Sequence, residues 1–210
     1  ETGYDILFFW VARMVLMSGF LMGTVPFSNV YLHGLVRDGQ GRKMSKSLGN
    51  IIDPLDMIEK YGADAVRLSL IMGASPGNDL KLDENRIRGY KNFANKVWNI
   101  TRFVLESQDA AGEGAIAAED EPIIAEARAM AQEVTKHVET YRLDLAADSA
   151  YQFIWHRFAD VLIEESKPLH KSDDQVVRKS RAHLLVAILS DLLKALHPFM
   201  PFVTEELWSM

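Results

Sequence analysis

From Ile6 to Phe27 the chain is almost continuously apolar, ILFFWVARMVLMSGFLMGTVPF, and loosens at Gly19, Gly23 and Pro26. The run has the length of a membrane span, but Arg13 lies in its middle and glycines and a proline break its end. A buried helix of an α/β layer is therefore the predicted element, with no membrane crossing. Asp5, after the turn-like Thr2-Gly3-Tyr4, is placed to act as its N-cap. Val30, Tyr31, Leu32, Leu35 and Val36 then make a short, β-prone run between Asn29 and Asp38-Gly39, which predicts a buried strand. A polar loop from Arg37 to Asn50 follows. Beyond it, Asp53 as N-cap, Pro54 at the first helical position and Gly62 as C-cap mark a helix. A further helix runs from Ala63 to Met72 and stops at Gly73. Residues 1–82 thus read as the end of an α/β domain.

From Asp83 onward the pattern is that of long helices alone. Phe93, Val97, Ile100 and Val104 recur at helical spacing, and the stretch SQDAAGEGAIAAEDEP, residues 107–122, interrupts them as an acidic, glycine-containing loop. Pro122 opens a helix to about Thr140. The next carries Ala147, Ala150, Ile154, Phe158 and Val161 on one stripe, and another carries Leu185, Ile188, Leu189, Leu192, Leu193 and Leu196 until Pro198 and Pro201 stop it. Thr204 then caps a last helix beginning at TEELW. Short connections around residues 141–144 and 172–174 imply antiparallel neighbours, so residues 83–210 read as a helical bundle. Trp98, Trp155 and Trp208 are assigned to packing.

Composition narrows the picture without redirecting it. The 210 residues are 48% hydrophobic and 25% charged, with net charge -6, as in an ordinary globular protein. There is no cysteine, and the six histidines lack the spacing of a zinc site, so no metal site is expected. The first residue is Glu, not Met, and the last helix has barely begun at Met210, so a fragment is expected.

Against that acidic background, GRKMSKSLGN from Gly41 to Asn50 stands out. It places Lys43 and Lys46 three residues apart, with Ser45 and Ser47 among them and glycines on either side. Two lysines alone suit any solvated loop. Here, lysines as compact charges, serine hydroxyls as donors and flanking glycines as hinges sit after a strand of an α/β unit, where such folds bind ligands. A polyphosphate is the natural guest. The P-loop pattern G-x-x-x-x-G-K-[ST] is absent.

KMSKS is the second signature of the class I aminoacyl-tRNA synthetases, and a chance match in a chain of this length is on the order of one in ten thousand at ordinary residue frequencies. TGYDILFFWVARM, LHGLVRDGQGRKMSKSLGN, IDPLDMIEKYGADAVR, NFANKVWN and HPFMPFVTEELW extend the match, and the chain resembles that family's valine-specific branch over essentially its whole length. Thr2 and Leu7 to Phe9 depart from the isoleucine-specific pattern. The resemblance implies a mostly α chain: the C-terminal part of a Rossmann-like α/β nucleotide-binding domain over residues 1–82, then an antiparallel helical anticodon-binding domain over 83–210. It implies ATP with Mg2+, valine and tRNA(Val) as partners, in a cytoplasmic monomer. Lys46 first and Lys43 second are the implied catalytic cations. Ser45 hydrogen-bonds phosphate or holds the loop, Gly3 and Asp5 lie near the ribose and adenylate, and His33-Gly34 lie beside the adenine. Asp5 as a plain helix cap and His33 as a hydrogen-bonded core histidine remain as alternatives. The family's first signature, an H-I-G-H-type motif, is absent from these residues, and there is no room for its editing domain. The chain alone is not expected to catalyse.

The helical part carries its own signal. Between Arg86 and Leu105 there are five basic residues and no acidic one. With Phe93, Val97, Ile100 and Val104 facing the core, Arg88, Asn92, Lys96, Asn99, Arg102 and Phe103 lie on the opposite side and its flank. Cations, amides and an aromatic ring suit an unstacked loop of RNA. Phe103 as a widening of the core stripe is the competing reading. Other readings of the whole are an isoleucine-specific or other class I synthetase, or a non-catalytic RNA-binding protein of the same architecture. An ATP-binding protein unrelated to tRNA is disfavoured by the acid-free helix.

Overall fold

The computed structural model describes all 210 residues. Two small parallel pairs form its α/β part. Strand β1 (Thr2–Gly3) pairs with β2 (Leu32–His33), matching Gly3 to His33, and β3 (Val36–Arg37) pairs with β4 (Leu80–Lys81). The single buried strand expected over residues 30–36 is therefore two half-buried ones. They part at Gly34, where a Cβ would lie 1.8 Å from the Asn78 carbonyl oxygen, so only glycine lets the two chain segments approach. Asp79 stitches the junction by accepting from the Leu35 N–H (2.8 Å), the Tyr4 hydroxyl (2.9 Å) and the Arg37 guanidinium. The Leu35 N–H above all, with Arg37 beside it, holds the Asp79 carboxyl below its ordinary range.

A π-helical turn Leu7–Ala12 continues into α1 (Arg13–Met22), which ends at Gly23 with φ +69°. Asp5 lies in a short turn before it and makes no capping hydrogen bond, so the cap reading is corrected. The expected burial is corrected too. Only Val11 is buried, while Phe8 is 76% and Phe20 85% exposed. A helix apolar on every side needs cover on every side, and this chain packs against little more than the Val11 face. By length and composition the Tyr4–Met22 helix could cross a membrane. Arg13 would then lie near the bilayer centre, which is costly.

The helices after the loop start and stop as their end residues dictate. Asp53 accepts from the Leu55 N–H (2.8 Å) at the head of α2 (Pro54–Tyr61), and Gly62, at φ +87°, divides it from α3 (Ala63–Ile71). Asp83 caps α4 (Glu84–Ala111) through the Arg86 N–H (2.8 Å), and this helix runs well into the expected acidic loop, stopping at Gly112. Then come α5 (Glu121–Glu139), α6 (Leu143–Gln152), a π-helical segment Phe153–Ile163, α7 (Glu164–Leu169), α8 (Gln175–Leu196) and α9 (Pro201–Trp208).

The π segment explains one departure. Its wider turn brings every fourth residue to the same side, so Ile154, Phe158, Leu162 and Ser166 are buried and the expected Val161 is displaced to the flank. Thr204 is another departure. It lies inside α9, buried, donating to the Met200 carbonyl (2.8 Å) instead of capping. Trp98 and Trp155 pack half-buried against the core as expected, whereas Trp208 is largely exposed with the Lys194 ammonium over its ring.

Two apolar cores result. The larger, of 28 buried residues, fills the bundle, and the smaller joins Met57, Ala65, Val66, Leu82 and Ile87. Helix α3 serves both, giving Ala65 and Val66 to the smaller and Leu68, with Met72 at its C-cap, to the larger.

Candidate functional site

The loop that carries both lysines is organised by one carboxylate. Asp38 Oδ1 accepts from the N–H groups of Gln40 (3.0 Å) and Arg42 (2.8 Å), and Oδ2 accepts from Arg42 Nε (2.8 Å) and Asn50 Nδ2 (2.9 Å). Asn50 closes the other end: its side chain donates to the Lys43 carbonyl (3.2 Å) and accepts from the Ser45 N–H (2.9 Å). Ser45 then caps a short 3-10 turn, Lys46–Leu48, through the Leu48 N–H (3.3 Å). Gly41 and Gly49, at φ +82° and +60°, make the reversals that L side chains resist. Met44 and Ile52 pack on the smaller core and anchor the loop from below.

The ammonium groups of Lys43 and Lys46 are left over. Both side chains are exposed and neither makes an ion pair, while neighbouring Arg42 is spent on Asp38. Two free cations on a pinned backbone suit an anion that neutralises both. Asp38 and Asn50 are the residues that sequence reasoning missed as parts of the site. Their signal was present as an aspartate opening a Gly-x-Gly turn and an asparagine closing the motif, both of which favour local side-chain-to-backbone bonds.

The Asn50 amide, followed by the Arg42 bonds, holds the Asp38 carboxyl at about 2. That is below the ordinary 3.8, so its contribution to the loop is complete above the unfolded value and is lost as pH falls through about 2. In an NMR titration the Gln40 and Arg42 amide signals should stay put from neutral pH to about 4 and shift with a midpoint near 2. In Asp38→Asn that midpoint should vanish. A wild-type midpoint at 3.8 or above would mean that the carboxylate does not hold the loop.

The parallel register sets Gly3 beside His33, and a Cβ on Gly3 would lie 2.7 Å from Asp5 Oδ1 and 3.6 Å from His33 Cε1. Three of the four sequence-selected adenosine residues thus meet at the ends of β1 and β2, with Gly34 next in the chain. His33 is no core histidine. Its ring is partly exposed, Nδ1 donates to the Gly34 carbonyl (2.7 Å), and Nε2 lies 3.1 Å from Glu1.

On α4, Arg88 is exposed and without an ion pair, and Arg102 is exposed beside Glu106 (3.3 Å). Lys96 differs from the free cation that the spacing suggested. Its ammonium bonds Asp160 (2.8 Å) and lies 3.9 Å from the centre of the Trp155 ring, and it holds the Asp160 carboxyl below its ordinary range. Phe103 is half-buried against the core, edge-on to His170 at 5.6 Å. It closes one end of a groove of about 520 Å³, one wall of which carries Asn92, Asn95, Lys96 and Asn99 and the other Asp160, Glu164 and Lys167.

Residues 1–83 match the family described as tRNA synthetases class I (I, L, M and V), and residues 120–210 match the anticodon-binding domain of tRNA ligase. A valine--tRNA ligase of Brucella suis is 47% identical over 100% of this chain, and one of Clostridium acetobutylicum is 45% identical over 99%; the chain spans 24% of the length of each. Among solved structures, a Mycobacterium tuberculosis methionyl-tRNA synthetase in complex with methionyl-adenylate superposes with TM-score 0.77 at 23% identity, over 98% of this chain and 42% of that one. The LeuRS of an Agrobacterium radiobacter ternary complex with tRNA and LeuAMS gives 0.71 at 22% identity, over 99% of this chain and 26% of that one. In sequence, in fold and in its KMSKS loop, the chain belongs to the class I tRNA synthetases, joining a portion of their synthetase domain to their anticodon-binding domain.

Proposed function

We propose that this chain is the KMSKS-bearing portion of the synthetase domain, with the tRNA-binding helices, of a cytoplasmic, monomeric valine--tRNA ligase. Residues 1–82 form the synthetase portion and 83–210 the tRNA-binding one. The observation that carries this reading is the pair of unpaired lysines on a loop fixed by Asp38 and Asn50. Identity to valine--tRNA ligases at 44–47% over the chain favours valine among the class I substrates. In the reaction a valine carboxylate oxygen attacks the α-phosphorus of ATP, and the bond from that phosphorus to the bridging oxygen of pyrophosphate breaks. Negative charge grows on the bridging and terminal oxygens, where Lys46 and then Lys43 stabilise it more in the transition state than in the ground state. Gly3, Asp5, His33 and Gly34 take the adenosine end, and the buried, side-chain-free Gly3 lets backbone approach it closely. No three acidic or histidine side chains gather as a metal site, so Mg2+ enters this reading only as the ion that ATP carries.

The tRNA meets the acid-free face of α4 at Arg88, Arg102 and the Phe103 groove, with Lys96 reaching phosphate only by giving up Asp160. The exposed face of α1 is then a surface on which the rest of the synthetase domain packs. The test is valine-dependent pyrophosphate exchange and charging of tRNA(Val) by the full-length protein. Binding of tRNA without exchange would favour the non-catalytic RNA-binding alternative. The 210-residue chain alone should give no valine-dependent exchange, since it lacks the H-I-G-H-type half of the phosphate cradle. Exchange above a no-enzyme control would show that the lysine loop suffices.

A further inference from the structure

Helix α3 ends up between the lysine loop and the bundle, and two of its charged residues reach across a large span of sequence. Asp64 Oδ1 accepts from the Phe202 N–H (3.2 Å) and Oδ2 from the Val203 N–H (2.6 Å). Those are free donors in the first turn of α9, a helix whose N-cap residue, Met200, supplies no side-chain acceptor. One turn along α3, Arg67 donates through Nη2 to the Pro198 carbonyl (3.0 Å) and through Nε to the Phe199 carbonyl (3.3 Å), just beyond the end of α8. A carboxylate therefore meets a helix N-terminus and a guanidinium meets a helix C-terminus, the sign that each end favours. The partners are 131 to 139 residues apart in the chain.

Asp64 is only 7% exposed, and a carboxylate that far from water persists because its oxygens are satisfied. On the neighbouring face of the same helix, Ala65 and Val66 belong to the smaller core, on which Met44, the second residue of the KMSKS motif, also packs. Loop, smaller core, α3 and the corner between α8 and α9 are thus in unbroken contact.

We propose that Asp64 and Arg67 are positioning residues that lock the α8–α9 corner to the segment carrying the lysine loop, so that tRNA held by the helices is registered against the reacting groups. The proposal rests on the synthetase reading above. Activation of valine needs the loop but not the register of tRNA, whereas transfer to tRNA needs both.

The test compares Asp64→Asn and Arg67→Gln in the full-length ligase. Asp64→Asn keeps the shape and removes one of the two acceptors. Arg67 is exposed, so its replacement leaves the folded core intact. In each variant valine-dependent pyrophosphate exchange should stay within about twofold of wild type, while the turnover of tRNA charging falls by about tenfold to a hundredfold, the cost of a small misplacement remote from the chemistry. Arg67→Lys should recover part of the loss, because one carbonyl can still be reached. Equal losses in exchange and charging would reduce the clamp to a structural role, and unchanged charging in both variants would remove it. If the unsubstituted protein shows no exchange at all, the synthetase reading fails and the clamp falls with it.

Discussion

Lys46→Ala in the full-length ligase should slow adenylate formation by about two to three orders of magnitude, with valine affinity nearly unchanged. The size follows from what the side chain does in the structure. Its ammonium is exposed and makes no ion pair, so its removal breaks no ion pair and leaves no buried charge behind. On the proposed role the loss falls on the interaction with phosphate, which strengthens as negative charge grows on the bridging and terminal oxygens. Lys43→Ala should cost less, since Lys43 is the second choice for that charge and its backbone role, a bridge to Arg37 and a carbonyl for Asn50, survives the substitution. A Lys46→Ala exchange rate within threefold of wild type would remove that residue from the chemistry. A loss accompanied by a lowered melting temperature would instead point to the loop's own packing.

The elements whose ends are fixed by single residues were legible in the sequence. Asp53-Pro54 and Gly62 each act within one turn of backbone, so the residue determines the boundary wherever the segment lies in the fold. The turns of the KMSKS loop are local in the same way, since the glycines that flank the lysines take the positive φ values at Gly41 and Gly49. What escaped was set by distant partners. The break at Gly34 depends on Asn78, the first turn of α9 is capped by Asp64 rather than by its own Thr204, and Lys96 is claimed by Asp160 and Trp155. In each case the deciding partner is more than forty residues away. The apolar run around α1 failed differently: periodicity reports that a helix wants cover, and it is silent on whether the same chain provides it.

Helix α4 carries two phenylalanines whose substitution should separate packing from recognition. Phe93 is 0% exposed, lies 4.5 Å from the Tyr151 ring and stacks on Trp155 at 6.0 Å, so Phe93→Ala should destabilise folding by about 3 to 5 kcal/mol through lost contacts and a cavity. For a chain of this size that is a fall of roughly 6 to 20 °C in Tm. Phe103 is half-buried and one edge faces the groove, so Phe103→Ala should cost roughly half as much stability. If its open edge takes a base, the same change should weaken tRNA binding by about 1 to 3 kcal/mol. The groove argues for a base there and against a phosphate. Asn92, Asn95 and Asn99 offer amides to base edges, while the groove's lysines, Lys96 and Lys167, are paired with Asp160 and Glu164 and leave little positive charge for a phosphodiester. Lys96 then has little charge to spare, because Asp160 already accepts from it. Lys96→Ala should accordingly leave the salt dependence of tRNA binding nearly unchanged, whereas Arg88→Ala should make it shallower by one released counterion. Filter-binding titrations of cognate tRNA at several salt concentrations, beside thermal melts of the same proteins, read all four variants. A Phe103→Ala protein with a lowered Tm and unaltered tRNA affinity would make Phe103 a packing residue only, and a shallower salt slope in Lys96→Ala would show that tRNA pulls that lysine away from Asp160.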